Sequence, residues 1–163
     1  DITILNTGEE TMTGGRLNYA KKYVGENFLL TYGDGVGNID IKKSIKFHLK
    51  MNKTITMTCV KEPTRFGAVE IKNDIVTNFE EKDKLSYKQI NAGFFVVNKK
   101  IFDLDLKKNT IFERNILKLL SKKNEVAAFK HNDFWYGMDS ARDNIYLNDL
   151  WKKNKAPWKI WKN

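Results

Sequence analysis

Two aspartates stand where carboxylates could do chemistry. Asp34 interrupts three glycines in "FLLTYGDGVGNIDI", and Asp139 closes "FWYGMD", each just after a short apolar stretch. Carboxylates that end two strands can meet at one edge of a sheet although they are distant in sequence. Magnesium is usually held by one or two carboxylates, with waters and substrate phosphates completing its shell. Bridging phosphate oxygens, such an ion neutralises charge during in-line displacement at phosphorus. The acceptor phosphate also needs cationic donors, and Lys82 in "FEEKDK" and Arg65 in "PTRFGA" are available. The plainer reading is a turn. Asp and Gly dominate turns for local reasons, and Gly33 and Gly35 would then only bend the chain. Spacing alone leaves both a phosphoryl or nucleotidyl transferase and an ordinary turn open.

The elements that must position these residues alternate. "RLNYAKKYV" puts Leu17, Ala20 and Val24 on one helical face, and "NFLLTY" follows as a short buried strand. Asp40 can cap a helix through "IKKSIKFHLK", with Ile41, Ile45, Phe47 and Leu49 partly inward. "TITMTCV" alternates as a strand, and "GAVEIKNDIVTNFEEK" reads as a hairpin turning at Asn73-Asp74. "INAGFFVVN" is a further strand. "TIFERNILKLL" opens with Thr110 three residues before Glu113, a capping box, and carries Phe112, Ile116, Leu119 and Leu120 inward. "EVAAFKH" and "FWYGMD" are strands, and Ser140 can cap a helix over "SARDNIYLNDLW". The expectation is an α/β domain with a mixed, mostly parallel sheet flanked by helices, in which ligands lie beyond the carboxyl ends of the strands.

Composition narrows the class. The 163 residues suit one domain, 1–163, with 152–163 a tryptophan-rich tail. A hydrophobic content of 41% excludes a disordered chain. No apolar run approaches the ~20 residues of a membrane span, and "DITILNTGEE" has none of the marks of a signal peptide. The lone cysteine, Cys59, lies in an alternating run and reads as a small buried residue, which suits the cytoplasm. The net charge of +9 invites nucleic acid, but the lysines are scattered rather than gathered on one stripe. What survives is an attraction to anions, phosphorylated small molecules included. His48 lies on a lysine-rich helix and His131 in a turn, and neither reads as catalytic.

In order and spacing, "NTGEETMTGGRL", "TYGDGV", "RFGAVEI", "FEEKDK", "INAGFFVVN", "KHNDFWYGMDSARD" and "LWKKNKAPWKIW" resemble the glucose-1-phosphate cytidylyltransferases. That resemblance covers essentially the whole chain. It implies a nucleotidyltransferase (Rossmann-like) fold, Mg2+ as cofactor, CTP and glucose 1-phosphate as substrates, and assembly into a homo-oligomer. The product would be CDP-glucose, used for deoxysugars and surface polysaccharide. Asp34 and Asp139 would be the magnesium pair. Gly67, Glu81, Lys82 and Asn91 would contact the sugar phosphate, with Glu81 accepting from hydroxyls and Lys82 meeting the phosphate. Thr13, Gly14 and Gly15 would pass beside the base, where backbone groups could read cytosine. Arg16 is either part of that contact or a helix-end residue.

The chain also departs from the family pattern. Asp83 stands where proline is usual, Ala92 begins the pair after Asn91, and Tyr136 and Gly137 precede Met138-Asp139. Tyr136 and Ala92 could reshape the sugar pocket, so another sugar or polyol phosphate is the alternative acceptor. Nothing in the sequence matches the family's opening glycine-rich triphosphate loop. The chain therefore resembles roughly the carboxy-terminal two-thirds of the family pattern, which leaves an inactive sugar-phosphate-binding subunit as a further alternative.

Overall fold

The computed structural model describes residues 1–61, 68–72, 75–80 and 89–161. Helix α1 (Thr13–Ala20) is followed by strand β1 (Asn27–Thr31), the short strand β2 (Gly35–Gly37) and helix α2 (Ile41–Met51). Strands β3 (Ile55–Lys61), β4 (Ala68–Lys72), β5 (Ile75–Glu80) and β6 (Gln89–Asn98) come next. A 3-10 turn (Lys99–Asp103) and a π-helical turn (Phe112–Leu117) lead into α3 (Lys118–Lys122), and β7 (Val126–His131), β8 (Trp135–Gly137) and α4 (Ala141–Lys152) complete the order.

The main sheet runs β1-β6-β3-β7, and it corrects the expectation of a mostly parallel sheet. β6 pairs antiparallel with both β1 and β3, and only β3 with β7 is parallel. The cause is topological. β4 and β5 form their own antiparallel ribbon, and the chain then returns through β6 between β1 and β3, with no helix between β3 and β6 among the described residues to set it parallel. The expected hairpin is therefore present, although Asn73 and Asp74 lie outside the described residues.

On one face of the sheet, Leu17, Ile55, Phe95, Val97, Ile101, Phe102, Phe112, Ile116 and Leu120 form the core. Phe95 and Phe112 meet edge to face at 5.2 Å. Side chains of this size contribute about 1.5–3 kcal/mol each when buried, so this cluster holds α1 and the 99–122 segment on the sheet. On the other face lies α2, capped as expected by Asp40, whose carboxylate accepts from Lys43 N–H at 2.9 Å. Its buried residues are Ser44 and His48, while Ile41 and Leu49 are exposed rather than inward. The reason is polar. His48 Nδ1 meets Thr56 Oγ1 at 2.9 Å and Nε2 meets Asn27 Oδ1 at 3.0 Å, a pairing that fixes which face of the helix turns in.

Two other expectations change. Thr110 does not cap a helix: its hydroxyl accepts from Lys107 N–H at 2.9 Å, closing the preceding loop. The first free N–H groups of the helical segment are taken instead by Asn115, from Ile111 at 2.7 Å, and by Thr13, from Phe112 at 3.0 Å. Leu119, expected inward, is exposed. At α4 the sequence signal holds, with Ser140 and Asp143 forming a reciprocal capping box.

Candidate functional site

The glycine-rich stretch after β1 does not simply turn. Gly35–Gly37 forms β2 and pairs antiparallel with Trp135–Gly137 of β8, so that Gly35 faces Gly137 and Val36 faces Tyr136. The pairing extends one step further, where Met138 N–H donates to Asp34 carbonyl at 2.9 Å. Asp34 therefore lies beside the residue that precedes Asp139. Both aspartates are exposed, and neither carboxylate takes a hydrogen bond or ion pair among the described residues. The ribbon thus brings the backbones flanking two carboxylate residues, distant in sequence, to one place.

Close approach, not positive φ, explains the glycines. A Cβ at Gly35 would stand 3.1 Å from Ala92 carbonyl and 3.5 Å from Trp135 Nε1, and one at Gly37 would stand 3.4 Å from Trp135 Cδ1. They make room for the half-buried Trp135 indole, which donates to Ala92 carbonyl at 2.9 Å. Gly33 has nothing within 4 Å and an ordinary backbone, so it bends no strand in the way the sequence suggested. Tyr136 donates to Asp143 Oδ1 at 3.0 Å and packs on Tyr146, which joins the ribbon to α4.

Ala92 belongs to an irregularity that shapes the next part of the site. Between Met57 and Cys59 the β3–β6 register jumps, because β6 carries extra residues around Gly93. Gly93 has φ of +76°, a left-handed conformation glycine adopts without strain. Asn91 Oδ1 accepts from Gly93 N–H at 2.9 Å and so pins the bulge. Tyr32 N–H donates to Gly93 carbonyl at 2.9 Å, and the Tyr32 ring lies against Gly93 and Phe95. The Tyr32 hydroxyl donates to Glu113 Oε1. Burial, then the hydrogen bond to Glu113 and its charge, push the Tyr32 phenol well above the usual tyrosine range, so it stays a donor.

The Thr13-Gly14-Gly15 segment packs against the 107–112 loop. Gly14 and Gly15 N–H groups both donate to Thr110 carbonyl, at 2.9 and 3.1 Å. A Cβ at Gly15 would come within 2.7 Å of Lys107 carbonyl, and one at Gly14 within 2.8 Å of Thr110 Cγ2. These N–H donors are engaged within the chain, so a base would be read by other groups of the segment. Arg16 ties the preceding loop to α1, donating to Thr7 hydroxyl and to Glu9 carbonyl at 3.1 Å. Arg65, Gly67, Glu81 and Lys82 lie outside the described residues.

The structure thus joins Asp34, Asp139 and Tyr136 through the ribbon. Asn91 joins through Tyr32, and Thr13 through Phe112 and Glu113. Sequence reading missed Tyr32 and took Glu113 for a cap partner. The available signal was the position of Tyr32, last in the apolar run and two residues before Asp34.

The model of the family described as nucleotidyl transferase matches residues 11–151. The chain belongs to this family. Among relatives of this nucleotidyl transferase, the glucose-1-phosphate cytidylyltransferase of Salmonella typhimurium is 45% identical over 163 residues. That match takes in 99% of this chain and 63% of the relative, so the chain spans less than two-thirds of its relative's length. The mannose-1-phosphate guanylyltransferase catalytic subunit beta of Drosophila melanogaster is 28% identical over 153 residues, 86% of this chain and 42% of that protein. The crystal structure of HddC from Yersinia pseudotuberculosis superposes with a TM-score of 0.64 at 24% identity, covering 88% of this chain and 64% of that one. This likeness supports the nucleotidyl transferase fold. No helix among the described residues is long and apolar enough to cross a membrane.

Proposed function

We propose that this nucleotidyl transferase carries the metal and sugar-phosphate sites of a cytidylyltransferase that makes CDP-glucose and pyrophosphate from CTP and glucose 1-phosphate. The supporting observation is the β2–β8 ribbon, which pairs the backbone next to Asp34 with the backbone next to Asp139, two exposed carboxylates without a hydrogen-bond or ion-pair partner among the described residues. Hard oxygen donors of this kind, with open space around them, fit Mg2+, which needs only one or two carboxylates when phosphates supply the rest. Bound there, the ion would neutralise charge on the triphosphate during displacement. The chain's own residues orient the reactants. Asn91 sits fixed at the bulge beside Tyr32, Tyr136 walls the ribbon, and Lys82 and Glu81 are assigned to the phosphate and hydroxyls of the acceptor. A phosphate oxygen of the sugar phosphate attacks the α-phosphorus of CTP in line, and pyrophosphate leaves. The nucleophile is already an anion, so no covalent enzyme intermediate is needed, and catalysis is positioning with charge stabilisation.

The test joins this chain to the amino-terminal third of the Salmonella relative and follows CDP-glucose formation with magnesium. CTP with glucose 1-phosphate should be the best pair. Faster turnover with another sugar phosphate would favour a different acceptor, a reading that rests on Tyr136 standing in the ribbon strand that leads to Asp139. Failure with every pair of CTP and sugar phosphate would overturn the assignment.

A further inference from the structure

We infer that Glu113 is a substrate-positioning residue of this site, held by Tyr32 so that its carboxylate accepts a hydroxyl of a bound sugar. The inference rests on the nucleotidyl transfer reading above.

Glu113 is the second residue of the π-helical turn, and it is fixed from two sides. Beneath it, Phe112 is fully buried against Phe95, and its N–H is taken by Thr13 Oγ1 at 3.0 Å. Beside it, the Tyr32 hydroxyl donates to Oε1. Tyr32 has little freedom of its own, held by its N–H to Gly93 and by its ring against Gly93 and Phe95. Glu113 is nonetheless exposed, and its second oxygen takes no hydrogen bond among the described residues. No cation pairs with it there.

A structural account leaves this unexplained. An acid in the first turn of a helical segment is mildly favourable wherever it points. That preference does not need a clamp by a tyrosine that itself stands two residues before Asp34. A carboxylate held through one oxygen by a neutral donor offers the other as a strong acceptor, because hydrogen bonds to charged groups are roughly twice as strong as neutral ones. Phosphate is the wrong partner for it, being anionic. The matching group is a neutral hydroxyl, of which this site's ligands have two sources, the pyranose of a sugar phosphate and the ribose of a nucleotide. Glu113 bridges the elements expected to serve each, with Asn91 on one side through Tyr32 and Thr13 on the other through Phe112.

The experiment uses calorimetric titration of the 163-residue chain with glucose 1-phosphate, CTP, 2′-deoxy-CTP and inorganic phosphate, in magnesium. Glu113→Gln keeps the size and can still accept from Tyr32, so the thermal midpoint should stay within a few degrees. It should weaken one sugar-bearing ligand roughly tenfold to a hundredfold and leave inorganic phosphate as tight or tighter. Tyr32→Phe should weaken the same ligand by less. Loss for glucose 1-phosphate assigns the pyranose. Loss for CTP, with lost discrimination against 2′-deoxy-CTP, assigns the ribose. Unchanged affinity for both, or an equal loss for inorganic phosphate, overturns the positioning role alone. A wild-type chain that binds none of these ligands overturns the functional reading together with it.

Discussion

Asparagine at position 34 or 139 separates a metal site from a turn. It keeps the size and one acceptor oxygen of aspartate but loses the charge a divalent cation needs, while turns accept it as readily. Asp34→Asn and Asp139→Asn should each nearly abolish magnesium-dependent turnover in the fused enzyme and leave the thermal midpoint almost unchanged. The double variant should lose little more than either single one, because one shared site is disabled in each case. Wild-type turnover in Asp34→Asn would return the stretch to an ordinary bend. A second residue is equally exposed to test. Gly93 is left-handed, and a Cβ there would stand 3.0 Å from the Tyr32 ring. Gly93→Ala should cost about 1–3 kcal/mol in urea unfolding and loosen Tyr32. A neutral outcome would mean the bulge has room to relax.

At the level of elements, α2 carries a pH dependence. His48 is buried, and loss of water pushes its pKa below the ordinary 6.5. The unfolded chain therefore binds more protons than the folded one as pH falls, and stability that is complete above pH 6.5 declines below it. The wild-type midpoint should drop between pH 7 and 5, before the carboxylates titrate, and His48→Gln should flatten that slope. An equal slope in both proteins would place the histidine outside the linkage. The same helix shows what a sequence discloses about an element. Its start was legible because Asp40 and Lys43 are local neighbours, as were Ser140 and Asp143 in α4. Its inward face was not, since the apolar pattern of Ile41 and Leu49 lost to a polar contact with Asn27 and Thr56 from other strands. Thr110 misled for a similar reason, its hydroxyl being claimed by Lys107 before the helix begins. Alternation located β6 well, yet a period of two residues carries no information on strand direction, and the mostly parallel expectation failed there.

On the scale of the molecule, β1 is bounded on one side by β6 and has no described strand on the other. Leu29 lies on this edge strand and is 53% exposed. Such an edge invites pairing with another chain, and an edge lysine is a common way to blunt it. Leu29→Lys should reduce concentration-dependent association of the 163-residue chain in light scattering without lowering its thermal midpoint. Identical scattering by both proteins would show that the edge is not available. The candidate site belongs to this scale as well. The chain segments that carry Asp34 and Asp139 lie against each other because β2 pairs with β8 across most of the sequence, a contact that spacing only allowed. The resemblance of whole motifs selected it. Tyr32 and Glu113 stayed hidden because nothing local joins residue 32 to residue 113, and a shared fold is what brings them into contact.

Trp135 turns the ribbon into its own optical gauge. Its indole lies against Gly35 and Gly37 and donates to Ala92 carbonyl at 2.9 Å, so it touches both the strand that follows Asp34 and the bulge beside Asn91. Indole emission follows local polarity and hydrogen bonding. With Trp151, Trp158 and Trp161 replaced by phenylalanine, Trp135 is the sole tryptophan left, and excitation at the red edge of indole absorption leaves the tyrosines dark. Magnesium with glucose 1-phosphate should then shift its spectrum, and Asp34→Asn in the same background should erase the shift. A spectrum that ignores the ligands would mean the two strands are already in their final setting before anything binds.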